Sequence, residues 1–217
     1  MVTATQPWIS VTGRMRSLEV RWILPGQLEP AVAGWFARFP AGVEAREDSY
    51  LADLPWCGLA VKLRAGRALE VKVYQGSPGI LGVAGRARGR LECWDKWSFP
   101  GDPPGPGGAG RPGWCPVRKR IRRFALASGH RGAGAPGPGA QAGCQVELTE
   151  VRAGGRDWWT LALETTGPAS LRRTELEAIA TLVFAQALPG YVELGTDQSQ
   201  SYAQWLTRCW ASGDACT

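Results

Sequence analysis

Charged residues alternate with apolar ones in several short stretches of this sequence. Lys62 and Arg64 alternate with Val61 and Leu63, and a longer stretch, Arg118 to Arg122, carries arginine at every second position. Because successive side chains of a β-strand point to opposite faces, each stretch would present its cations on one side of a sheet. The planar guanidinium group matches phosphate and carboxylate geometry. The pattern therefore predicts a binding site for an anion.

Sorting the predicted strands by this alternation gives one apolar face and one polar face. Cations outnumber carboxylates on the polar face, and like charges on a concave surface repel each other unless an anion lies among them. A simpler alternative is that this face meets water, as one side of many antiparallel sheets does. If the sheet instead closes, these side chains point into one cavity. The cations are Arg21, Lys62, Arg64, Lys72, Arg90, Lys96, Arg118, Arg120 and Arg122, and the carboxylates are Glu19, Glu70, Glu92, Glu147 and Glu164.

The elements that position these residues are short strands followed by helices. Ala65-Gly66 and Gly154-Gly155 predict tight hairpin turns. An apolar stripe at three- and four-residue spacing predicts a helix over Ser170–Leu188, which Pro189-Gly190 ends. The order of elements predicts an α+β fold, with an antiparallel β-barrel or tunnel and flanking helices. The predicted strands are Leu18–Leu24, Leu59–Ala65, Leu69–Tyr74, Arg90–Trp97, Val117–Leu126, Cys144–Val151 and Trp158–Thr165, and the other predicted helices are Gln27–Phe39 and Gln198–Trp210.

Composition is consistent with a single domain over residues 1–217. The chain has 217 residues, 44% of them hydrophobic, and a formal net charge of +6. This charge favours anionic partners such as phosphates or nucleic acid. Two segments rich in Gly and Pro, at about 100–116 and 128–143, predict flexible loops between strands.

Several classes of protein are disfavoured by the sequence. No run of 18 apolar residues is present, and the N-terminus lacks the features of a signal peptide, so we expect a soluble cytoplasmic protein with no membrane partner. The six cysteines are scattered and the single histidine is His130, which predicts free thiols and argues against a structural zinc site. Neither a nucleotide P-loop nor a GxSxG nucleophile motif occurs.

A series of short motifs follows in a fixed order from about Ser17 to Leu206. In this order they resemble the motifs of the CYTH superfamily, the triphosphate tunnel metalloenzymes that include thiamine-triphosphatase-like and class IV adenylyl-cyclase-like proteins. The motifs are Leu18–Ile23 in place of the family's ExExK strand, Glu47–Leu51, Gly58–Arg64, Leu69–Gly76, Arg90-Leu91-Glu92, Arg118–Arg122, the carboxylates Glu147 and Glu164 on two late strands, and Ser201-Tyr202 at the start of a terminal helix.

The resemblance implies a tunnel fold that binds, and in its relatives hydrolyses, a triphosphate with Mg²⁺ or Mn²⁺. It implies catalytic roles for Glu19, Glu92 and Arg120 and metal binding by Glu19, Glu147 and Glu164. One departure affects the metal: Arg21 stands where the signature has its second glutamate, and Ile23 where it has lysine. A guanidinium in place of a carboxylate removes a metal ligand and changes the local charge by two units. The implied substrate-binding residues are Arg21, Lys62, Arg64, Lys72, Arg90, Arg118, Arg120 and Arg122.

Three functional hypotheses remain open from the sequence. The first is a metal-dependent triphosphatase, and the second is a binding module for a phosphorylated or other polyanionic small molecule without an effective metal site. The third is nucleic-acid binding through the basic run 118–123. The glutamates have an alternative use as ion-pair partners of neighbouring cations. Trp94, Trp158 and Tyr74, which share the parity of the polar face, would either stack on a ligand or pack internally.

Overall fold

Eight antiparallel strands form a closed barrel, and three helices lie against it, in the part of the chain that the structure describes. The computed structural model describes residues 12–54, 56–101, 113–126, 143–190 and 192–211. The strands run in the order β1-β5-β4-β3-β2-β6-β7-β8 around the barrel. The predicted fold class is thus confirmed. The strands are β1 (Thr12–Pro25), β2 (Gly42–Leu51), β3 (Leu59–Arg64), β4 (Ala68–Val83), β5 (Ala87–Pro100), β6 (Trp114–Leu126), β7 (Gly143–Ala153) and β8 (Arg156–Thr166), and the helices are α1 (Pro30–Phe36), α2 (Ala169–Val183) and α3 (Tyr202–Ala211).

Two tight turns fix the register of the strands that they join. Ala65 and Gly66 have φ of 49° and 67° between β3 and β4, and Gly154 and Gly155 have φ of 54° and 72° between β7 and β8. Two successive residues with positive φ give a turn whose twist matches the twist of the flanking strands. Both predicted hairpins are therefore confirmed. The first of them places Lys62 opposite Glu70.

The apolar face of the sheet lies on the outside of the barrel, beneath α1 and α2. Trp22 of β1, Phe36 of α1 and Leu176 of α2 are fully buried in one hydrophobic cluster with the outward residues of β5, β7 and β8. The Trp22 indole Nε1 donates a hydrogen bond to the backbone carbonyl of Arg88 at 2.9 Å, which satisfies its one polar atom. Since these side chains point outward, the alternate, charged side chains of the same strands point into the barrel.

Helix α3 closes one end of the barrel interior. Its residues Trp205 and Leu206 are buried in a second cluster with Ile23, Val117 and Val151, which lie on three different strands. On β1 the inward positions change from the charged Glu19 and Arg21 to the apolar Ile23 as the strand approaches α3. One end of the barrel interior is therefore apolar and plugged by α3, and the charged region of the interior lies beside this plug.

Several boundaries differ from those that the sequence predicts. β2 forms a full strand over Gly42–Leu51, whereas the sequence predicts only Glu47–Leu51 as a strand segment. The first predicted loop is shorter than expected at both ends, because Pro100 belongs to β5 and Trp114–Pro116 to β6. The interiors of both predicted loops lie outside the described residues. The expectation of free thiols holds for Cys57, Cys93 and Cys144 but is wrong for Cys115, which is disulfide-bonded. Over the described residues, every helix is too short or too polar to span a membrane.

The α3 plug gives a first prediction. Replacing Trp205, which is 2% exposed, with alanine removes a large buried side chain, and we expect the free energy of unfolding to fall by about 3–5 kcal/mol. Trp56→Ala is the matched control, because Trp56 is 53% exposed, and it should change that free energy by less than about 0.5 kcal/mol. Urea unfolding measures the free energy of unfolding of both variants. If Trp205→Ala lowers it as little as Trp56→Ala is expected to, by less than about 0.5 kcal/mol, α3 contributes little to the core.

Candidate functional site

The inward side chains of the barrel line a cavity beside the α3 plug. It has an empty volume of about 930 Å³ when its open mouth is included. Among the described residues, eight cationic side chains and five carboxylates line it, so positive charge is in excess. The cations are Arg21, Arg46, Lys62, Arg64, Lys72, Lys96, Lys119 and Arg123, and the carboxylates are Glu19, Glu70, Glu92, Glu147 and Glu164.

The structure brings most of the predicted site residues together, but not all of them. Arg21, Lys62, Arg64 and Lys72 and the glutamates at 19, 92, 147 and 164 all line the cavity. Arg90 is exposed and is not part of the lining.

The predicted inward direction of Arg118, Arg120 and Arg122 is wrong. Arg118 and Arg120 have side chains that are 76% and 60% exposed on the outside of the barrel. Arg118 pairs there with Glu47 at 3.0 Å, and Arg122 pairs with Glu150 at 2.7 Å. The other parity of β6 points inward, which places Lys119 and Arg123 in the cavity. In a run of consecutive cations both faces are charged, so alternation alone does not identify the inner one.

Sequence reasoning missed Arg46, Tyr50, Lys119, Arg123 and Tyr202 as lining residues. The alternation gave no signal for Lys119, because it shares its parity with the apolar Val117 and Ile121, and on strands such as β1 and β7 the apolar parity is the outward one. For Ser201-Tyr202 the sequence predicts only the start of a terminal helix.

At the plugged end, two cations lie against the ring of Tyr202. The Arg21 guanidinium lies 4.6 Å and the Lys119 ammonium 4.0 Å from the ring centroid, distances at which cation–π attraction is favourable. Lys119 Nζ also contacts the Tyr50 hydroxyl at 2.6 Å and Asp48 Oδ2 at 3.2 Å. Burial lowers the pKa of Lys119 even with these partners, whereas burial raises the pKa of Tyr50 to about 12.

Glu70 is the meeting point of three cations in the middle of the cavity. Its carboxylate lies 3.1 Å from Lys62 Nζ, 3.1 Å from Lys96 Nζ and 3.3 Å from Arg64 Nη1. Burial opposes the ionisation of Glu70, but the charges of Lys62 and Lys96 outweigh it and lower its pKa to about 2. The pKa of Lys96 is lowered by burial in spite of Glu70. One carboxylate therefore serves several ammonium and guanidinium groups, which leaves positive charge available to a ligand.

Glu147 has a similar position on β7. It lies 3.5 Å from Arg21 Nη1 and 3.4 Å from Arg123 Nε, and it accepts a hydrogen bond from Thr149 Oγ1 at 2.9 Å. Burial disfavours its charged form, but Arg21 and Arg123 outweigh burial and lower the pKa of Glu147 to about 2. Glu147 is thus ionised and already held by two arginines.

Three glutamates on neighbouring strands form a row, which we call the carboxylate row: Glu92 of β5, Glu19 of β1 and Glu164 of β8. Glu19 is directly opposite Glu92 where β1 pairs with β5, and directly opposite Glu164 where β1 pairs with β8. Lys72 of β4 contacts Glu19, and its Nζ lies 3.7 Å from Glu164 Oε1. Glu19 also accepts a hydrogen bond from Ser17 Oγ at 2.8 Å. Burial opposes the ionisation of Glu19, but the charge of Lys72 outweighs burial and lowers the pKa of Glu19.

Glu92 differs from the rest of the row because no cation pairs with it among the described residues. It is 5% exposed, and its Oε2 accepts a hydrogen bond from Trp94 Nε1 at 3.1 Å. Its Oε1 is buried and accepts no hydrogen bond from the described part of the chain. Burial, together with the charge of Glu19, raises the pKa of Glu92.

The predicted metal ligands Glu19, Glu147 and Glu164 do not fit a divalent cation as they are arranged here. Glu147 pairs with arginines, whereas Glu19 and Glu164 share Lys72. No group of three carboxylates, histidines or cysteines over the described residues is arranged to hold a metal ion. Mg²⁺ needs oxygen ligands rather than ammonium or guanidinium neighbours, and Arg21 adds a further cation where a second carboxylate would be needed.

Comparisons with known proteins give only distant similarity. No family model matches the chain. No curated protein matches it either. Among solved structures, the S. pombe Pct1 RNA triphosphatase in complex with the Spt5 CTD is similar with a TM-score of 0.33 and 11% identity, covering 84% of this chain and 81% of that one. A second structure of the same enzyme is similar with a TM-score of 0.33 and 10% identity, covering 80% and 78%.

The ion pairs of the cavity predict how stability depends on pH. Glu70 and Glu147 have pKa values of about 2 in the folded protein, below the value of about 4.3 for an unfolded chain. The contribution of these two carboxylates to the free energy of unfolding is complete above their pKa in the unfolded chain. It is lost as the pH falls through their pKa in the folded protein. We therefore expect the free energy of unfolding to fall between about pH 4.5 and pH 2. Glu147→Gln should flatten this fall, because an amide does not titrate.

Urea midpoints measured across that pH window provide the test. Glu150→Gln is the matched control, because Glu150 lies on the outward face of the same strand. It should reproduce the wild-type profile. A steeper acid loss in Glu147→Gln than in wild type would contradict the assignment of Glu147 to a stabilising ion pair.

Proposed function

We propose that this protein binds a triphosphate or polyphosphate compound inside its barrel. The observation that carries the proposal is the excess of cations over carboxylates around one cavity. Among the described residues, eight cations line it, against five lining carboxylates and the buried Asp48, which pairs with Arg46, Lys62 and Lys119. Like charges held close in a partly buried space repel each other, and a bound polyanion removes that repulsion. The closed barrel with a charged interior also agrees with the tunnel fold that the motif resemblance implies.

The distribution of the cations favours a ligand with several charges over a single phosphate. The lining cations come from six of the eight strands and so surround the cavity. Lys96 and Lys119 have pKa values that burial lowers, and an anion beside them would favour their charged forms. Arg123 and Arg64 provide guanidinium groups for bidentate contacts to phosphate oxygens.

The side chains that line the cavity can bind a phosphate chain by themselves. The chain's own groups would hold the phosphate chain, orient it by guanidinium contacts and keep water out at the end that α3 plugs. Hydrolysis would need, in addition, a positioned water and charge stabilisation in the transition state. Release of phosphate from tripolyphosphate, measured with and without Mg²⁺ or Mn²⁺, would extend the proposal from a binding protein to an enzyme.

Two arginines on opposite faces of β6 provide a matched test. Arg123 lines the cavity and Arg118 lies outside it. A hydrogen bond to a charged group contributes about 1.5–3 kcal/mol, so Arg123→Ala should weaken tripolyphosphate binding at least about tenfold. Arg118→Ala, which removes the same side chain from the outer surface, should change the dissociation constant by less than about twofold. Isothermal titration calorimetry measures both.

A different set of results would support the nucleic-acid hypothesis, in which the outer face of β6 binds RNA. If Arg118→Ala and Arg120→Ala abolish salt-sensitive binding to single-stranded RNA while tripolyphosphate does not bind the wild-type protein, the outer face of β6 is the functional surface. In the structure, Arg118 pairs with Glu47, and Arg120 and Arg122 pair with Glu150. These carboxylates partly neutralise the outer face, and solvent screens the exposed Arg118 and Arg120, so the partly buried cavity is preferred.

A further inference from the structure

The carboxylate row shows where a cation is needed in the cavity. Glu19 is directly opposite both Glu92 and Glu164 on its two neighbouring strands. Like charges directly opposite each other destabilise a sheet. Since all three side chains line the same cavity, the row requires positive charge close to Glu19 and Glu164.

Lys72 supplies that charge from a strand that does not adjoin β1 or β8. It belongs to β4, and β5 lies between β4 and β1 in the barrel. Its side chain nevertheless contacts Glu19 and lies 3.7 Å from Glu164. The ammonium therefore lies near both carboxylates, in the region where a divalent ion would need to coordinate them.

The neighbours of this ammonium also disfavour a second cation there. Lys72 is directly opposite Lys96 in the register of β4 and β5. Arg21 follows Glu19 on the same face of β1 and lines the same cavity. A divalent ion beside Glu19 would be close to these cations, and the repulsion would oppose its binding.

We infer that Lys72 takes the place of a divalent metal in this cavity, so that the protein binds the phosphate chain without metal. This inference rests on the proposed function, because it concerns how the same cavity holds its ligand. The ammonium of Lys72 neutralises Glu19 and Glu164, and the remaining lining cations contact the phosphate oxygens. The ligand class is a linear phosphate chain in its metal-free form.

Titration of tripolyphosphate into the wild-type chain, once with EDTA and once with excess Mg²⁺, tests the inference. We expect binding in EDTA to be at least as tight as in excess Mg²⁺, because Mg²⁺ binds the free phosphate chain and so competes with the protein for it. Binding that requires Mg²⁺ would overturn the inference and leave the proposed function intact. An absence of binding under both conditions would overturn both.

Lys72→Met gives an independent measurement. Removing the ammonium leaves Glu19 and Glu164 unneutralised, so Mn²⁺ without ligand should raise the thermal midpoint of this variant but not that of the wild type. Lys96→Met is the matched control, because Lys96 also lines the cavity but pairs with Glu70, and it should gain no Mn²⁺ response. An equal Mn²⁺ response in wild type would overturn the inference. If Lys72→Met does not fold, the wild-type titrations and Mn²⁺ response decide the question.

Discussion

Closure of the β-sheet is the constraint on which the other features of this protein depend. In an open sheet the polar face would meet water, and its charges would be solvated separately. In the closed barrel the same alternation places thirteen charged side chains of the described residues around one cavity. Their mutual interactions are then strong, because the space is partly buried and poorly screened. Each charge must be compensated by a neighbour or by a ligand.

The compensation inside the barrel is uneven along its length. Glu70 and Glu147 are each surrounded by several cations, and their low pKa values follow from this crowding. Glu92 has no cationic partner among the described residues and a raised pKa. Glutamates in one barrel thus differ in ionisation because their neighbours differ. The same uneven distribution leaves an excess of positive charge for a polyanion.

The two ends of the barrel interior have different roles because their inward residues differ. Near α3 the inward positions are apolar, and Trp205 packs among them with Ile23 and Val117. Tyr202, at the start of α3, borders both regions, with its ring in contact with Arg21 and Lys119. The aromatic ring is apolar toward the plug and favourable to cations on its face. The helix therefore closes the barrel and also forms one wall of the site.

Local sequence patterns alone predict seven of the eight strands and the three helices of the described residues, both hairpin turns, and the inward direction of Glu19, Lys62, Lys72 and Glu164. These follow from local rules: period-two alternation, paired residues with positive φ, and an apolar helical stripe. The closed barrel alone establishes the inner face of β6, because Arg118, Lys119 and Arg120 carry charge on both parities. It also decided which cation meets which glutamate, since the contact of Lys72 with Glu19 crosses an intervening strand. Such contacts depend on the closure and stagger of the barrel, which the alternation of one strand does not contain.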